Sequence, residues 1–258
     1  MPALPPPSLR PDRGQLAALR AQVASAGAVS APVLSFGIAE LDGRLADGGL
    51  HGAGLHEIAA ASAALSDDAA ATLFTTGIAA RFSRLAGLTT LWALTRFDLY
   101  APGIAQAGLA PGQVFYAQGG KDSDVLALAE DGLRDGSLAC VIAEVKSADQ
   151  TATRRLQLAA SDGRTPMLLY RRHRSVDRCP FATPSAAMTR WRIACLPSAP
   201  LPAAGLGRGR WSVELVRQRG GNPFTLDLEA CDDTGRLALP AAAPDRATAT
   251  AGTTSQAA

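Results

Sequence analysis

Apolar and polar positions follow two different rhythms along this chain, and the change between them divides it. From residue 55 to 170, short apolar runs take turns with longer stretches of helical period. The runs at 55–59, 88–95, 114–117, 139–145 and 167–170 predict strands. The run at 139–145, Ala-Cys-Val-Ile-Ala-Glu-Val, is apolar almost throughout, as a strand covered on both faces requires. Helices are predicted at 66–85 (through Leu73, Phe74, Ile78 and Phe82), 102–107, 122–134 and 148–160, with Asp122 or Ser123 as the N-cap of the third. Such alternation gives a mostly parallel sheet with helices on both faces. From residue 189 the rhythm changes. The segments 189–196, 210–217 and 224–229 alternate large apolar with polar residues, which predicts antiparallel strands added at the C-terminal end of an α/β sheet.

The flanks read differently. Residues 1–11 form a proline-rich leader, expected to be flexible. Residues 12–32 hold a helix and a linker, with Leu16, Leu19 and Val23 on one helical face. That face suits docking on its own domain or on a neighbouring subunit, and the pattern leaves both open. The core is expected at 33–240, and the Ala/Thr-rich tail at 241–258 is expected to be disordered.

Composition narrows the class. At 258 residues and 47% apolar, the chain has enough material for a core of ordinary size. No apolar run approaches the roughly 18–20 residues of a membrane helix, and the start lacks the regions of a signal peptide. A cytoplasmic location is expected. Cys140, Cys179, Cys195 and Cys231 lie far apart and suggest isolated thiols. Net charge is only +2, but it is concentrated: residues 151–220 carry thirteen arginines against Asp162, Asp177 and Glu214. Clustering of that kind suits nucleic acid or an acidic partner.

The strand at 55–59, the following turn and the helix at 66–85 have the layout of a P-loop without its chemistry. A phosphate loop needs glycines, then Lys and Ser/Thr, at the start of the helix. Here the turn is Ala60-Ala61-Ser62-Ala63-Ala64-Leu65-Ser66, and Asp67 and Asp68 stand where a lysine and a hydroxyl are wanted. Two carboxylates already use the positive end of the helix dipole. Neither ATP binding nor catalysis is expected, and no cofactor or metal site is read from the sequence.

At this point a resemblance emerges. Leu34-Ser35-Phe36-Gly37-Ile38-Ala39-Glu40-Leu41-Asp42, Gly48-Gly49-Leu50 and Gly54-Leu55-His56-Glu57-Ile58 are similar to the start of the core of RecA-type recombinases. The segment from Arg210 to Phe224 resembles the closing hairpin of that core. With the lost phosphate loop, the short length and the run from Trp191 through Leu196-Pro197-Ser198 to Leu239, the whole resembles the ImuA family of bacterial mutagenesis accessory proteins. The resemblance implies a RecA-like core and a non-catalytic adaptor in SOS-induced error-prone translesion synthesis, with nucleoid association after DNA damage as part of that setting. The implied partners are an ImuB-type polymerase homologue and an error-prone replicative-type polymerase, with RecA or single-stranded DNA as further candidates and no membrane. Two alternatives stand beside it: a SulA-like SOS inhibitor of cell division, and a weakly active RecA-like ATPase. The first DNA loop of recombinases is absent, since Val145 leads almost directly into the helix at 148, whereas a basic loop at 173–187 stands in the place of the second.

Candidate partner or DNA contacts are Arg171, Arg172, Arg174 and Arg178 on or beside that loop, and Arg208, Arg210, Arg217 and Arg219 around the last hairpin. Arginine's planar fork pairs with phosphates and carboxylates at two points. Glu144 is expected at an exposed strand end, where exchange for Gln changes stability little. Trp191 and Trp211 are expected in the core rather than as stacking platforms, and His51 and His56 as turn and strand residues rather than ligands.

Overall fold

The computed structural model describes residues 32–173, 175–176, 178–199, 205 and 207–240. The leader, the helix expected at 12–26 and the tail at 241–258 lie outside the described residues. The first described elements are β1 (Val33–Leu34), α1 (Ala39–Asp42) and β2 (Leu50–His51), with β1 and β2 antiparallel. The Asp42 carboxylate holds this segment together. It accepts from Ser35 Oγ and from the backbone N–H groups of Phe36, Gly37 and Ile38.

The chain then alternates through β3 (Leu55–Ala60), α2 (Leu65–Ala86), β4 (Thr90–Leu94), α3 (Ala101–Gln106), β5 (Val114–Gln118), α4 (Asp122–Asp135), β6 (Cys140–Val145), α5 (Gln150–Asp162) and β7 (Met167–Arg171). Three antiparallel-patterned strands complete it: β8 (Thr189–Leu196), β9 (Arg210–Gln218) and β10 (Phe224–Glu229). All eight long strands form one sheet in the order β10-β9-β8-β3-β7-β6-β4-β5. β8 runs parallel to β3 and antiparallel to β9, so it joins the two halves. The fold is α/β, mostly parallel, with antiparallel strands at the C-terminal end, as the two rhythms predict.

Strand alternation sends side chains to two covers. On one face Ile58, Trp92, Ile142, Tyr170, Trp191 and Trp211 pack with α2, where Phe74 lies 5.9 Å from Trp191 and 6.4 Å from Trp211 between ring centroids. On the other, Leu55, Leu91, Val141, Leu169 and Met167 pack with α4 and α5. Both tryptophans are therefore core residues. Cys140, Val141 and Ile142 are fully buried in β6, between β7 and β4.

His56 is buried too, and a neutral network explains how. Trp191 Nε1 donates to Thr189 Oγ1, which faces His56 Nδ1 at 2.8 Å, while Nε2 donates to the His51 carbonyl at 3.0 Å. Burial pulls the His56 pKa down from 6.5 to about 4, the charge of His51 adding to the effect and the bond to its carbonyl opposing it. One helix start differs from expectation. Lys121 occupies the N-cap of α4, and Asp122 instead accepts from the N–H groups of Lys146 and Ser147 across the sheet end. Its carboxylate satisfies the turn after β6, a need outside its own helix.

Candidate functional site

The C-terminal ends of β3, β6 and β7 and the N-terminus of α2 meet where a P-loop protein would hold its nucleotide. The turn between β3 and α2 is closed by its own side chains. Ser62 Oγ donates to Asp67 Oδ2 at 2.6 Å, and Asp67 Oδ1 accepts from the Cys195 N–H at 2.8 Å. Ala64, the N-cap, offers no side-chain bond. Asp68 turns the other way, accepting from the Tyr170 hydroxyl at 2.5 Å and from Arg172 at 2.8 Å.

Arg172 is the centre of this cleft. Its Nε donates to Glu144 at 2.7 Å, and its terminal nitrogens reach Asp68 at 2.8 Å and Asp98 at 3.2 Å. Trp92 Nε1 donates to the second Glu144 oxygen at 2.7 Å. Burial alone would lower the Arg172 pKa, but Glu144 and Asp68 outweigh it and raise it, so the guanidinium stays charged. Burial pushes the Glu144 carboxyl up, with Arg172 and Trp92 pulling against it. The cavity left between Thr95, Asp98, Asp122, Glu144 and Arg172 is about 20 Å³, close to the smallest that takes one water. Glu144 is 4% exposed, so the expectation of a free strand end is corrected: its carboxylate is buried and doubly bonded.

A second cluster lies on the opposite face. Glu57, fully buried on β3, accepts from Arg171 at 2.8 Å and from Arg190 at 2.5 Å. Arg190 also donates to the carbonyls of Phe181 and Thr183, with its guanidinium over the Phe181 ring. Arg217 reaches the Ser185 and Ala187 carbonyls, and Arg219 that of Ala186. Five carbonyls of the basic loop are thus held by three arginines. Among the described residues no group of three or more His, Cys, Asp and Glu is placed to hold a metal ion.

Comparison with known proteins supplies the family. No family model matches the chain. Protein ImuA of Caulobacter vibrioides, strain NA1000 / CB15N, is 37% identical over 204 residues, covering 77% of this chain and 84% of that protein. Its counterpart in strain ATCC 19089 / CIP 103742 / CB 15 matches to the same extent. The chain belongs to the ImuA family. A crystal structure of SulA from Pseudomonas aeruginosa is similar at 19% identity and a TM-score of 0.40, over 46% of this chain and 97% of the other. That likeness is too slight to carry an argument.

In this ImuA-family chain the eight candidate arginines do not form one patch. Arg171 is 2% exposed and paired with Glu57, and Arg172 fills the cleft among three carboxylates, so neither stands free on the surface, contrary to expectation. Arg174 lies outside the described residues. Arg178 is exposed and makes no ion pair among the described residues. Arg208 donates to the Ala230 and Arg236 carbonyls and pairs with Glu229 at 3.3 Å; Arg210 lies 3.9 Å from Asp227. Arg217 and Arg219 remain exposed while gripping the loop. Seven residues of extended strand, about 23 Å, separate Arg210 from Arg217. Sequence reading missed Glu57 as an ion-pair centre. A carboxylate inside the apolar run Leu-His-Glu-Ile-Ala was the available signal, since a buried charge demands a partner.

Proposed function

We propose that this chain is a non-catalytic adaptor in error-prone translesion synthesis of the SOS response, built on a RecA-like scaffold with a degenerate P-loop. It would join an ImuB-type polymerase homologue and, through it, an error-prone replicative-type polymerase. The observation that carries the reading is Arg172, a built-in cation shared by Glu144, Asp68 and Asp98 in the space a Mg-nucleotide would need. Membership of the ImuA family supports the mutagenesis setting. The turn before α2 supports it further: it has no glycine whose N–H could approach a phosphate and no lysine to meet one.

Isothermal titration with Mg-ATP tests the first half. No heat of binding is expected at millimolar nucleotide, and a micromolar dissociation constant sinks the reading. Replacing Asp67 and Asp68 by Lys and Thr restores nothing, because the preceding turn still lacks glycines. Capture of tagged protein from DNA-damaged cells tests the second half. Polymerase subunits in the eluate support the adaptor, whereas a tubulin-like division protein in their place overturns it.

A further inference from the structure

Beside the filled cleft, past Lys146 and Arg172, a second and larger cavity opens at the C-terminal ends of β6 and β7. Its volume is about 460 Å³, within the range of small-ligand pockets. Open α/β sheets bind ligands in crevices at this end of their strands. The walls carry Lys146, Arg171, Arg172 and Arg178, the hydroxyls of Ser147 and Thr183, and, among the described residues, no acidic side chain. We propose that this cavity is a binding site for a phosphate group.

Three observations converge on that ligand. The Lys146 and Arg178 side chains are exposed, without ion-pair partners among the described residues, so their charges are free to meet an anion. Arg171, 3% exposed in its side chain, bonds Glu57 through one terminal nitrogen, while its buried Nε has no partner among the described residues. A buried N–H left unpaired is uncommon, and an oxyanion is the acceptor a guanidinium binds most strongly. Finally, Glu57 is already shared between Arg171 and Arg190, so two buried guanidinium charges face one carboxylate. Beside Glu57 the surplus charge is positive and fixed in place, whereas Arg172 is already outnumbered by its three carboxylates and adds no free charge to the wall. Volume decides the scale. The space is too large for an ion alone and suits a phosphate carried on a larger body, either a free phosphate ester or the phosphodiester of a strand. The site is independent of the adaptor reading, and nucleotide binding in the neighbouring cleft would leave it standing.

The test uses the full chain and two probes. One is a fluorescein-labelled oligothymidylate followed by anisotropy at several salt concentrations; the other is pyrophosphate followed by calorimetry. Lys146→Glu and Arg178→Glu are compared with Arg154→Glu, an exposed residue on α5 that makes the same change in net charge. Arg178→Gln serves as a milder variant if reversal disturbs the loop. The first two reversals should weaken strand binding about tenfold and lower the slope of log affinity against log salt by about 0.7, with little change for Arg154→Glu. Binding of pyrophosphate but not of the strand, lost in Arg178→Glu, also supports the site and assigns it to free phosphate esters. Equal losses for all three reversals, or no binding of either probe at millimolar concentration, overturns the proposal.

Discussion

The two charge clusters on opposite faces of the sheet are built from the same residue types in inverse proportion. In the α2 cleft one arginine serves three carboxylates; under the basic loop one carboxylate serves two arginines. The first arrangement consumes a cavity. Arg172 lies across it, stacked on the Tyr170 ring with its guanidinium carbon 5.3 Å from the ring centroid. The second arrangement supports a surface, because Arg190 goes on to bond the loop above it. The difference teaches how arginine can fill a cleft in one place and brace a loop in another within one domain: a planar fork that satisfies several acceptors turns empty space into structure.

The two clusters can be set apart by mutation. Glu57→Gln should have the largest effect, about 3–5 kcal/mol by urea unfolding, because it leaves two buried guanidinium groups without a counter-charge. A loss below about 1 kcal/mol would show that water reaches the cluster and would erase the contrast. Arg172→Met should cost roughly 2–3 kcal/mol, less because Asp68 and Asp98 are partly solvated and Glu144, raised already by burial, can take up a proton. That loss should shrink as pH falls. The third measurement separates the other titrating group on β3. His56 has a folded pKa of about 4, below its ordinary 6.5, so the unfolded chain binds more protons between those values. Stability therefore falls as pH drops, by roughly 2 kcal/mol from pH 7 to pH 5, and His56→Gln should remove most of this pH difference whatever its absolute cost. Glu144→Gln should have the smallest effect, about 1 kcal/mol, since the amide oxygen can still accept from Trp92 while Arg172 keeps two aspartates. A loss equal to that of Glu57→Gln would make the clusters equivalent.

Much of the fold was legible in the sequence, because each element carries its own periodicity. The run at 139–145 needed two covers and received them in α2 on one side and α4 with α5 on the other. The bounds of β8 and β10 follow directly from alternation. The composition of the turn at 60–66, without glycine or lysine, is a local property that the sequence shows directly. The fate of the arginines was not. Arg171 and Arg172 are neighbours in sequence, yet β7 sends one to each face, and their acids lie 114 and 28 residues away at Glu57 and Glu144. Charge counted along a chain cannot tell a solvated arginine from one that three carboxylates enclose. Asp122 makes the same point on a small scale: its sequence context suggests a cap, yet it follows the N-cap and bonds another turn.

The sheet order also bears on how the chain is made. β3 pairs only with β7 and β8, so the first long strand to leave the ribosome has no neighbour until residues far downstream follow it. Arg171 comes 114 residues after Glu57 and Arg190 comes 133 after, which at typical synthesis rates is roughly 6–25 seconds. Through that interval Glu57 keeps its water, and an apolar strand bordered by α2 has to be shielded without its sheet. Among the most deeply buried carboxylates of the fold is thus one that its strand carries unpaired until both arginines have been made.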